Sequence, residues 1–171
     1  MLDVLWQELT SGLHDSKQFA RVIIRLVAAA ILGGLVGFQR ETTHKPAGLR
    51  THMLVSVATA AFVVASASGG LSVDGWSRVI QGIVTGIGFI GAGTILKISQ
   101  EHAIKGLTTA ASVWMTAAIG VTVGLGNLGI GLMVTLLALI ILWLWKVEHS
   151  VEGDRSRASD HSDEITRVSE S

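Results

Sequence analysis

Five stretches of the chain are almost unbroken runs of apolar residues, near 22–38, 53–69, 79–96, 107–126 and 128–145. The first contains one charged residue, Arg25, and the other four contain none. A helix needs ~20 mostly apolar residues to cross ~30 Å of hydrocarbon, and each run is close to that length. The pattern predicts an all-α protein, a polytopic membrane bundle of five transmembrane helices. Residues 21–146 form this membrane domain.

The polar breaks orient the bundle. Arg40, Lys45 and Arg50 lie between runs one and two, Lys97 and Lys105 between runs three and four, and Lys146, Arg155, Arg157 and Arg167 after run five. Only Lys17, Arg21 and Arg78 fall on the opposite side. Basic residues accumulate on the cytoplasmic side of short loops, so the amino terminus is predicted outside and the carboxyl terminus in the cytoplasm. Residues 1–20 place Leu2, Leu5, Trp6, Leu9 and Leu13 at roughly helical spacing. That spacing fits an amphipathic helix on the interface or a helical extension of the first span. Residues 147–171 are polar, with too little apolar surface to offset ordering entropy, and predict a disordered cytoplasmic tail.

Composition sharpens this reading. Of 171 residues 15% are charged, against ~25% in a typical soluble domain. Thirteen basic residues balance thirteen acidic ones, so no basic footprint for nucleic acid is present. The balance is a cancellation: residues through Lys146 carry +4 and the acidic tail carries −4. There is no cysteine, which removes disulfides, thiolate nucleophiles and Cys-based zinc sites.

With no hydrophobic drive in lipid, helices associate through close packing at small residues and interhelical hydrogen bonds. Ala29, Gly33 and Gly37 form a small-residue stripe on run one. Run three sets Gln81, Thr85, Gly88 and Ala92 on one face beside Gly82, Gly86 and Gly93. Run four aligns Thr109, Ser112, Thr116, Gly120 and Gly124. Gly33, Gly37, Gly82, Gly86, Gly120 and Gly124 are therefore the candidate packing glycines, and runs one, three and four the expected inner bundle, with run five peripheral. The same faces could instead line a narrow path through Gln81, Thr85, Ser112 and Thr116. Gly86–Gly91 matches the dinucleotide pattern GxGxxG, but it lies inside an uncharged span without the preceding strand or following acid that nucleotide binding needs.

The candidate chemistry lies near the first cytoplasmic loop. Arg40-Glu41 is followed by Lys45-Pro46-Ala47-Gly48 and by Arg50-Thr51-His52. Pro46 and Gly48 predict a turn, with Gly48 free to take positive φ and Glu41 able to pair with Arg50 across it. Arg21 and Arg25 share a face near the outer end of run one, as an anchor or as a contact for lipid headgroups or an anion. No run contains an acidic residue, no hydrolase or metalloprotease motif is present, and Glu41, Asp74 and Glu101 cannot share one Mg²⁺ site. No enzyme activity, metal centre or cofactor is expected.

Four blocks then point to one family: Gly33-Gly-Leu-Val-Gly-Phe-Gln-Arg-Glu41, Pro46-Ala-Gly-Leu-Arg-Thr-His52, Gly86-Ile-Gly-Phe-Ile-Gly-Ala-Gly93 and Lys105-Gly-Leu-Thr-Thr-Ala-Ala111 with Trp114. In this order and spacing the chain resembles the MgtC/SapB family of bacterial membrane proteins. The resemblance implies a multi-pass protein of the bacterial cytoplasmic (inner) membrane, linked to growth at low Mg²⁺ and, in pathogens, to virulence. It implies a non-enzymatic regulator of other membrane systems, notably the F-type ATP synthase. The alternative is a small homo-oligomeric transporter or channel. Expected partners are membrane lipids, a second copy forming a homodimer, and another membrane protein. By motif, Arg40, Glu41, Arg50, Thr51, His52, Gly88, Gly91, Gly93, Thr108 and Thr109 are the residues to follow. Some relatives carry a cytosolic domain after the last span, and the polar tail here is too short for it.

Overall fold

The computed structural model describes residues 1–4, 16–68, 70, 72–98 and 103–144. The described chain is helical apart from one small hairpin. Helix α1 runs Ser16–Thr42, α2 Leu49–Ser68 and α3 Val73–Gly93. Strands β1 (Leu96–Ile98) and β2 (Ala103–Lys105) follow, then α4 (Leu107–Gly124) and α5 (Leu128–Leu144). The proposed amphipathic segment falls mostly, and the acidic tail wholly, outside the described residues. Helix α1 begins at Ser16, so the chain is already helical ahead of the first apolar run.

Helices α1, α2 and α4 are long and apolar enough to cross a membrane. Helix α3 has the length, but Asp74, Arg78 and Gln81 in its first half dilute its apolar character. Helix α5 is apolar and shorter. The segment between runs three and four forms a small hairpin. Leu96 pairs with Lys105, Lys97 with Ile104 and Ile98 with Ala103, antiparallel.

The chain divides into two compact units, Met1–Ala138 and Leu139–Ser171. In the second, the described residues are 139–144, the end of α5. In the first, α1, α2 and α4 form the core, which corrects the expectation that run three would lie inside. Ala29, Gly33, Val36, Gly37 and Arg40 of α1 are buried on one stripe at three- to four-residue steps. On α2 the buried stripe is His52, Ser56, Thr59, Ala60 and Val63, and on α4 it includes Thr109, Ser112, Thr116, Gly120 and Val123.

These stripes meet at backbone distance. A Cβ on Gly33 would lie 2.6 Å from Ser56 Cβ and 2.8 Å from the His52 carbonyl oxygen. On Gly37 it would stand 2.7 Å from Leu49 Cα, and on Gly124 2.8 Å from Val63 Cβ. On Gly120 it would collide with Thr59 Oγ1 and the Ser56 carbonyl. Where lipid offers no hydrophobic reward, this close approach is what holds helices together. Run two displaces run three from the core because α2 carries its own small and hydroxyl side chains at helical spacing.

Helix α3 leans on the core with its isoleucine side, where Ile87 is buried and Gly91 approaches Ala110. Its glycines Gly82, Gly86, Gly88 and Gly93 are exposed, and Gly82 and Gly86 border a cavity shared with α2. A Cβ built on Gly82, Gly86, Gly88 or Gly93 meets nothing within 4 Å among the described residues, so no other described helix is brought against Gly82 and Gly86. Gly106 and Gly126 close the turns around α4 with φ of 103° and 90°, a region that L side chains rarely adopt.

Candidate functional site

The α1–α2 junction is built from Arg40 to His52. Arg40 continues the buried stripe of α1 by one more turn, so helix periodicity carries its guanidinium inward, leaving it 4% exposed. Its Nη2 donates to Thr109 Oγ1 at 2.7 Å. Its Nε is buried with no hydrogen-bond partner among the described residues. Glu41, one residue on, points outward and accepts the Leu49 amide on Oε2 at 2.9 Å. The first amides of a helix lack intrahelical acceptors and favour negative charge, so the carboxylate caps α2 in place of the expected pair with exposed Arg50. The turn also differs from the expectation: positive φ falls on His44 (54°) and Ala47 (59°), not on Gly48. Gly48 is small for another reason, because a Cβ there would stand 3.0 Å from Glu41 Oε2.

His52 is fully buried in the first turn of α2. Its Nδ1 lies 3.1 Å from the Gly48 carbonyl oxygen and its Nε2 3.3 Å from Ser112 Oγ. A carbonyl only accepts, so Nδ1 carries a proton. The Ser112 hydroxyl, 2.8 Å from the Thr109 carbonyl oxygen, then has two acceptors to choose from, that oxygen and His52 Nε2. Arg40, Thr109, Ser112 and His52 thus form one buried polar cluster joining α1, α2 and α4. Farther along the core, Thr59 donates to Val55, Thr116 to Ser112 and Thr135 to Gly131, each to a carbonyl of its own helix. Ser56 Oγ is buried without a partner among the described residues.

The remaining motif residues are dispersed. Thr108 is exposed at the start of α4, and Thr51 is half-buried. Gly88 and Gly93 are exposed on α3. Arg25 turns inward: Nη1 donates to the Gly124 carbonyl at 2.9 Å and the guanidinium lies over Gly126, capping the C-terminal end of α4, while Arg21 stays exposed. Among the described residues, no group of three His, Asp or Glu side chains is placed to hold a metal ion. A cavity of about 590 Å³ opens between α2 and α3, lined by Leu54, Phe62, Gly82, Ile83, Gly86 and Ile90 among others, and is almost wholly apolar. Sequence reasoning missed Ser56 and Thr59. Their spacing from His52, with Val63 beyond, is a helical stripe that would have marked α2 as a core helix.

Residues 26–151 match the MgtC family. A protein of Escherichia coli K12 named "Putative magnesium transporter YhiD" is 45% identical over 130 residues, covering 72% of this chain and 60% of that one. Protein SrpB of Synechococcus elongatus is 40% identical over 129 residues, covering 69% and 71%. Protein MgtC of Brucella abortus is 47% identical over 112 residues, covering 64% and 45%. The chain thus spans about 60% of the length of YhiD and about half of that MgtC. No solved structure matches the chain. With the family match extending from the middle of α1 past the end of α5, and relatives at this identity, the chain belongs to the MgtC family of membrane proteins.

Proposed function

We propose that this chain crosses the bacterial cytoplasmic membrane five times, amino terminus outside, and acts in magnesium-related physiology as a non-enzymatic regulator of another membrane protein. The observation that carries this reading is the exposed backbone of α3. Gly82, Gly86, Gly88 and Gly93 leave its backbone open to close approach, while the corresponding glycines of α1 and α4 are consumed inside the chain. The hydroxyls of Thr59, Thr116 and Thr135 support the same reading, because each bonds a carbonyl of its own helix and is not turned toward a shared path. The magnesium link draws on the name of the E. coli relative, and the F-type ATP synthase is the partner brought forward by the family resemblance. A role in virulence rests on that resemblance alone.

The test is reconstitution. Purified protein in liposomes is expected to pass no Mg²⁺ above empty vesicles, while Gly86→Leu abolishes rescue of growth at low Mg²⁺ and leaves the thermal midpoint of the purified protein within about 2 °C. Mg²⁺ flux from the purified protein alone would refute the regulator. A second reading, a homodimeric transporter, is favoured by Gln81 and Thr85, both exposed on α3, where a second copy could complete a path. Cysteines placed at these two positions in the cysteine-free chain would react with membrane-impermeant thiol reagents if that path exists.

A further inference from the structure

Two positive features meet at the start of α4 with no negative partner among the described residues. One is Arg40, 4% exposed, held against the first turn of α4 by its bond to Thr109 and with Nε left without an acceptor among the described residues. Glu41, its neighbour in sequence, spends its carboxylate on the Leu49 amide, and the polar partners of buried His52 are the uncharged Gly48 carbonyl and Ser112 hydroxyl. The other is the helix terminus itself. Gly106 occupies the N-cap and offers no side-chain acceptor, and the first turn holds no acid. The first amide of the helix to find a carbonyl is that of Ala110, bonded to Gly106 at 2.8 Å. The amides of Leu107, Thr108 and Thr109 have no acceptor among the described residues.

A helix N-terminus carries roughly half a positive charge in directed N–H groups, and a guanidinium carries a full one. An uncompensated cation taken out of water is strongly disfavoured, and an anion bridging the helix start and the guanidinium relieves both. We propose that the α4 N-terminus and Arg40 together hold an oxyanion of the phosphate class. Three amides, the Thr108 hydroxyl and the free N–H of the guanidinium supply more donors than the two oxygens of a carboxylate use, and they suit a tetrahedral anion. An inorganic phosphate and the phosphate of a lipid headgroup carry this same chemistry. The site is independent of whether the chain regulates or transports.

The experiment uses the full chain, purified and delipidated in detergent, with unfolding followed by tryptophan fluorescence. One arm titrates sodium phosphate against sodium chloride of equal ionic strength. The other titrates phosphatidylglycerol in mixed micelles against a phosphate-free glycosyl diacylglycerol. The unfolding midpoint is expected to rise in at least one phosphate arm beyond its control. Response to free phosphate identifies the soluble ion, and response to phosphatidylglycerol alone identifies the headgroup. Arg40→Gln is expected to raise the half-saturating concentration at least tenfold. Thr108→Asp places the chain's own carboxylate on the first turn at an exposed position, so it tests the site even if Arg40→Gln does not fold, and it is expected to remove the response. No rise beyond the controls in either arm, or a rise that survives Thr108→Asp undiminished, would overturn the proposal.

Discussion

The glycines of this chain are not equivalent, and the difference is measurable one methyl group at a time. Gly120→Ala puts a carbon onto Thr59 Oγ1 and the Ser56 carbonyl, and Gly33→Ala onto Ser56 Cβ and the His52 carbonyl. Backbone cannot yield as a flexible side chain can, so each substitution is expected to cost about 1–3 kcal/mol, read as a loss of unfolding midpoint in detergent. Gly86→Ala meets nothing within 4 Å and is expected to leave that midpoint unchanged or slightly raised. Equal destabilisation at all three positions would contradict this packing. Sequence spacing assigned the six glycines one common role, because a small-residue stripe looks the same whether its partner is another helix of the chain or lies outside it.

The capping interactions belong to the scale of the element. Glu41 closes the start of α2 from the preceding helix, across the Pro46 turn. Glu41→Ala leaves the Leu49 amide without that acceptor and is expected to cost about 0.5–1 kcal/mol, with faster amide hydrogen exchange confined to the first turn of α2. Exchange that is unchanged there would remove the cap from the account. Arg25 performs the opposite task at the C-terminal end of α4, where a cation complements the helix dipole. Both side chains were visible in the sequence as charges beside a membrane span. Their acceptor and donor were not, because Gly124 lies 99 residues from Arg25 and no local pattern links the two.

For the whole molecule, helix length and the placement of charge bear on how many times the chain crosses. Helices α1, α2 and α4 qualify by length and composition, and α3 and α5 approach that standard from different sides. The distribution of basic residues favours an odd count, since an even number would put Arg40–Arg50 and the residues after α5 on opposite sides, and the five crossings proposed above also keep Lys97 and Lys105 on the basic side. An alkaline phosphatase fusion after Lys146 is expected to be inactive, and a fluorescent-protein fusion at the same point bright. Phosphatase activity there would refute the five-span topology.

The sequence by itself determined the membrane character, the positions of the helices and the family, because these follow from runs of apolar residues and from local motifs that need no partner. It also placed Arg40, His52 and Thr109 among the residues to follow. Only the tertiary structure decided which helices form the core, because that depends on which small-residue stripes face each other. It chose α2 over α3 through Ser56, Thr59 and the glycines of α1 and α4 that fit against them. It likewise turned Glu41 away from Arg50 and drew Arg40 onto Thr109. Hydrogen-bond partners distant in sequence are fixed by packing, and packing is a property of pairs of helices rather than of any one of them.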